Sequence, residues 1–97
     1  MSWWIRVYLE PGERDDTLAV WESGAYEWSK ELTEAGLLTQ TKSGGYPNEF
    51  RGSARDLLPL LEAVKPQHAG ESFSKYQDRI DKCPRDAELV VSLWDQS

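Results

Sequence analysis

The 97 residues include 17 acidic and 11 basic side chains, a net charge of −6, and 39% of them are apolar. Five tryptophans among the aromatic residues give the chain material for a packed core and argue against a disordered segment. The acidic balance argues against direct nucleic-acid binding, whose affinity comes from cations set against phosphates. Cys83 is the single cysteine, so no internal disulfide forms, and no secretory leader pattern or long apolar run is present. These features lead us to expect a single domain over residues 1–97 in a reducing, cytoplasmic, bacterial setting, without membrane insertion.

In the opening SWWIRVYLE, Trp3, Ile5, Val7 and Leu9 are apolar, while Trp4, Arg6, Tyr8 and Glu10 are amphipathic or charged. This two-residue period predicts a half-buried strand stopped by Pro11-Gly12, with the two adjacent tryptophans on opposite faces. From Asp16 onward Leu18, Trp21, Ala25, Trp28, Leu32 and Ala35 recur at spacings of three and four. That stripe favours one helix capped by Asp15 or Asp16 and ended at Gly36. Gly24 inside it supports a rival reading, in which TLAVWES is a strand and the helix starts near Gly24.

LLTQTK, then Ser43-Gly44-Gly45, then YPNEFR predicts a hairpin whose second arm is interrupted at Pro47. Ser53 to Asp56 resembles a capping box ahead of Leu57, Leu60, Leu61 and Val64, a second helix ended by Pro66, with Pro59 in its first turns. Phe73, Tyr76, Ile80 and Cys83 suggest a short third helix closed by Pro84. Leu89, Val91 and Leu93 alternate with Glu88, Val90, Ser92 and Trp94, a closing strand. The order implies an α+β, two-layer ferredoxin-like (split βαβ) fold: a four-stranded antiparallel sheet with two to three helices on one face.

Such a plan leaves Trp4, Arg6, Tyr8 and Trp94 on the uncovered sheet face, where a cluster of rings suits an interface. The charge is also concentrated. Between Glu13 and Glu34 seven acids (Glu13, Asp15, Asp16, Glu22, Glu27, Glu31, Glu34) face two bases (Arg14, Lys30), 2 − 7 = −5. A solvated helix exterior explains part of this, but a near-neutral remainder favours a role in steering a basic partner.

Catalytic signals are weak. His68 is the sole histidine, which excludes a His-rich metal site. A Cys83–His68 dyad competes with the commoner meaning of a lone cysteine on an apolar stripe, a small buried hydrophobe. Lys42-Ser43-Gly44-Gly45 lacks P-loop spacing and reads as a turn. No cofactor is implied.

The expectation is a small acidic protein-binding module, an immunity or antitoxin-type inhibitor that blocks a basic toxin such as a nuclease. Asp15, Asp16, Glu22, Glu27, Glu31 and Glu34 would steer the partner, and Trp4, Arg6, Tyr8 and Trp94 would supply anchoring contacts. The alternative is a dimeric, ferredoxin-like α/β-barrel enzyme or ligand-binding protein, paired through the open sheet face around an aromatic pocket.

Overall fold

The computed structural model describes residues 3–10, 12–22, 25–42, 48–64 and 74–95. Its first strand, β1 (Trp3–Leu9), is central, because its alternation lets Ile5 and Val7 bury completely on one face while Trp4, Arg6 and Tyr8 line the other. A 3-10 turn (Arg14–Asp16) reverses the chain into β2 (Thr17–Trp21), which pairs antiparallel with β1. Helix α1 (Ala25–Glu34) leads to the hairpin arms β3 (Thr39–Lys42) and β4 (Asn48–Ser53). There follow α2 (Ala54–Ala63), β5 (Ser74–Lys75), α3 (Gln77–Lys82) and β6 (Glu88–Asp95).

The fold is α+β, an open antiparallel sheet of order β3-β4-β6-β1-β2-β5 with three helices among the described residues. Six strands stand where four were expected, and β1 continues into a hairpin partner rather than a crossover helix, so the strand order departs from the ferredoxin-like plan. The single helix expected from Asp16 is corrected to strand β2 followed by the shorter α1, the rival reading of that segment. Tertiary pairing decided it. β2 is held between β1 and β5, and those ladder bonds outweigh the local helical stripe.

A bulge explains why the stripe misled. Val7 pairs with Ala19 and Tyr8 with Thr17, so Leu18 is the extra residue, and Thr17, Leu18 and Ala19 are all buried in succession. Strict alternation is therefore absent just where it would have marked a strand. Similarly, the expected third helix from Phe73 shortens: Ser74 and Lys75 pair with Val20 and Ala19, and α3 starts only at Gln77.

All three helices feed one core. Leu32 of α1, Leu57, Leu58 and Leu61 of α2 and Ile80 of α3 join Ile5, Val7, Leu89 and Val91 in one buried cluster. Ser53 caps α2 by accepting the Arg55 N–H at 3.2 Å, and the Ala54 N–H donates to the Ala87 carbonyl at 2.9 Å, tying this helix start to the approach to β6. Among the described residues no helix is long and apolar enough to cross a membrane.

Candidate functional site

Helix α1 is amphipathic at the 3.6-residue period. Trp28, Ser29 and Leu32 turn toward the sheet, with Trp28 meeting the buried Trp21 edge-on at 5.0 Å between ring centroids. Glu27, Lys30, Glu31 and Glu34 are exposed on its outer side, 1 − 3 = −2 in charge. The ion pairs among the described residues belong to Arg51 and Arg79, and none involves these three glutamates.

Tyr26 begins this outer face. It is 43% exposed, one of two large exposed apolar side chains among the described residues, and its ring rests 5.4 Å from that of Trp3. Beside it runs a cleft of about 340 Å³ between α1 and the β3–β4 end of the sheet. Tyr26, Ser29, Thr33 and Glu34 form one wall, Phe50 and Leu93 the floor, and Gln40 and Asn48 come from the strands opposite.

The other predicted acids have different surroundings. Asp16 closes a capping box by accepting the Glu13 N–H at 2.9 Å, and Asp15 lies 3.6 Å from the Arg79 guanidinium of α3. Glu22, half-buried, follows the last residue of β2. The acidic segment is thus divided by β2 into a structural pair on the 3-10 turn and an outward-facing trio on α1.

On the sheet face opposite the core, which carries no helix among the described residues, Trp4 stands opposite Trp94, Arg6 opposite Ser92 and Tyr8 opposite Val90. All of the rings are half-buried. Arg6 reaches across its own loop: Nε donates to Thr17 Oγ1 at 2.8 Å, and the guanidinium donates to the carbonyls of Gly12 at 2.7 Å and Glu13 at 3.1 Å. The same guanidinium lies 4.3 Å above the Tyr8 ring, and the Tyr8 hydroxyl is 3.3 Å from that of Ser92. These contacts hold the chain after β1 against the sheet and half-cover Tyr8.

Further along that face Arg51 gathers three carboxylates. It pairs with Glu10, with Glu88 at 3.1 Å and with Glu49 at 3.4 Å. Hydrogen bonds that this guanidinium donates to Glu88 and Glu10, reinforced by the charges of Glu10 and Glu49, raise its pKa against a smaller opposing effect of desolvation. Val90, 1% exposed, is sealed between Arg51 and Tyr8, its cross-strand neighbours.

Cys83 is buried at the end of α3, and desolvation pushes its thiol pKa up, against a weaker opposing effect of Arg85. His68 and the turn at residues 43–47 lie outside the described residues. Among the described residues no three His, Cys, Asp or Glu side chains converge to hold a metal ion.

Tyr26, Phe50 and Asn48 escaped the sequence reading. Tyr26 carries a detectable signal, since it is an aromatic residue off the Trp28–Leu32 stripe of its helix. Phe50 and Asn48 reach the cleft only through strand pairing, for which the linear sequence holds no marker. Comparisons with protein-family models, curated proteins and solved structures find no match to the chain.

Proposed function

We propose that this chain is a small acidic protein-binding module that occupies the basic surface of another protein, as an immunity or antitoxin-type inhibitor does when it blocks a toxin such as a nuclease. The observation that carries this reading is the outer face of α1: Glu27, Glu31 and Glu34 exposed in a row, with the exposed ring of Tyr26 at its start. Exposed carboxylates raise the rate of encounter with a cationic surface, and an aromatic ring supplies contact area that can be desolvated on docking. The setting we propose is the cytoplasm.

Affinity capture with the tagged full chain, at low and then moderate salt, tests this. The expected result is a stoichiometric basic protein whose association slows when Glu27 and Glu31 are both changed to Lys, by on the order of tenfold at low salt. An unchanged association rate removes the α1 face from the mechanism.

A second reading is favoured by the direct cross-strand pairing of Trp4 with Trp94 on the sheet face opposite the core. Two copies joined through that face would enclose an aromatic pocket, as a barrel-forming dimer does. It ranks below the first, because Arg6 and Tyr8 are already committed to the chain's own loop.

A further inference from the structure

We infer that the cleft beside Tyr26 receives an arginine side chain of the partner, an inference that rests on the protein-binding reading above. Hydrogen-bond polarity is the first argument. Ser29 Oγ donates its proton to the Tyr26 carbonyl at 2.9 Å, and Thr33 Oγ1 donates its own to the Ser29 carbonyl at 2.7 Å. Both residues line the cleft, and the half-buried Thr33, its hydroxyl hydrogen committed to the helix, offers acceptor lone pairs only, while Ser29 is buried at 2% exposure. The Glu34 carboxylate adds further acceptors to the same wall.

A complementary occupant is rich in donors, positively charged and flat enough to lie against a ring. Guanidinium has five N–H donors in a planar fork, no acceptor and a permanent charge, and it stacks on aromatic rings such as that of Tyr26, 43% exposed. An ammonium group has three donors about a strongly hydrated point charge and matches the rings less well. A carboxylate or phosphate would set acceptor against acceptor at Thr33 and Glu34, whereas the amides of Gln40 and Asn48 serve either kind of group and Lys30 favours an anion. The about 340 Å³ of space lies within the usual range of ligand pockets, roughly 300–1,000 Å³, and exceeds the bulk of one side chain.

Lys30 also lines the cleft, one turn before Glu34. Lys preceding Glu at this spacing is the less favourable order for a helix pair, and no ion pair joins the two. The Glu34 carboxylate therefore stays available to an incoming cation.

The test titrates the isotopically labelled full chain with N-acetyl-arginine methylamide, and separately with the corresponding lysine and citrulline compounds, following amide resonances by NMR. The expected result is a saturable shift of Ser29, Thr33 and Asn48 signals by the arginine compound, at least about threefold tighter than for either of the others. Glu34→Gln and Tyr26→Ala, both at exposed positions, should each weaken it by at least about threefold, with signals away from α1 and, for Tyr26→Ala, from its ring partner Trp3 unchanged. Equal responses to all three compounds, or indifference to Glu34→Gln, overturns the inference. Because no partner is needed, the two proposals fail separately. A partner captured through Glu27 and Glu31, with no arginine shift at the cleft, overturns this inference and leaves the protein-binding reading standing. Arginine shifts at the cleft without any salt-sensitive partner support the cleft's selectivity and overturn the reading it was joined to.

Discussion

Gly52 lies on β4 where an added Cβ would meet the Leu37 carbonyl oxygen at 2.5 Å, Leu57 Cδ1 at 2.9 Å and Leu38 Cδ2 at 3.1 Å. The carbonyl is backbone and cannot turn aside as a side chain would. Gly52→Ala should therefore destabilise the chain by about 1–3 kcal/mol, read as a lower urea midpoint at unchanged slope. Cys83 makes a second prediction. Burial raises its pKa above the ordinary value of 9.0, so the folded state favours the neutral thiol. A group whose folded pKa is raised adds stability that is fully present below its unfolded pKa and is lost as pH rises through the folded one. Stability measured against a Cys83→Ala control should accordingly fall above pH 9.0, not in the acid range. Alkylation of the native thiol at neutral pH should be slower than that of the denatured chain by on the order of tenfold or more.

At the scale of elements, α2 shows packing overriding propensity. Pro59 stands inside this ten-residue helix. There its ring lacks an N–H and crowds the carbonyl four residues back, at a cost of about 3 kcal/mol. Leu57, Leu58 and Leu61 flank it, each fully buried, and burial of a leucine side chain contributes about 1.5–3 kcal/mol. Three such residues offset the proline, and the helix continues through it. The cap is then worth measuring: Ser53→Ala removes the acceptor for the Arg55 N–H and should cost about 1 kcal/mol in thermal or urea unfolding.

The same contest explains what was legible in the sequence. β1, β6, the α2 cap and the two glycine-flanked arms β3 and β4 follow from period and punctuation. β2 did not, because Leu18 and Trp21 satisfy a helical spacing as well as a bulged strand. Of the candidate site, the carboxylates of α1 were legible as a charge concentration, whereas Phe50 and Asn48 enter it through the pairing of β4 with β6. Cross-strand neighbours distant in the chain leave no local trace.

For the whole molecule, the strand that comes last in chain order among the described residues occupies the middle of the sheet. β6 lies between β4 and β1, and its Ser92 meets Tyr8, 84 residues away. The two faces of that central pair have separate tasks. One carries the core; the other holds Trp4, Trp94, the Arg6–Tyr8 stack and the Arg51 cluster. If α1 is the docking surface, Trp4→Glu should leave the partner's association rate within about twofold of the parent chain, as expected of a distant, independent site. Sedimentation of the same variant discriminates the second reading: a parent dimer that Trp4→Glu converts to monomer would move the functional surface to the sheet.

The sequence by itself determined the inward face of β1 and β6 at Ile5, Val7, Leu89, Val91 and Leu93, the opposite orientations of Trp3 and Trp4, the start of α2 and the acidic character of α1. Each is a local property, written in residue spacing, capping chemistry or charge. Only the tertiary structure decided the number and order of the strands, the division of the acidic segment by β2, the closing of Arg6 over Tyr8, and the cleft beside Tyr26. These depend on which strands pair and where a bulge falls, and their free energy comes from groups brought together across the chain, so no short window of sequence contains them.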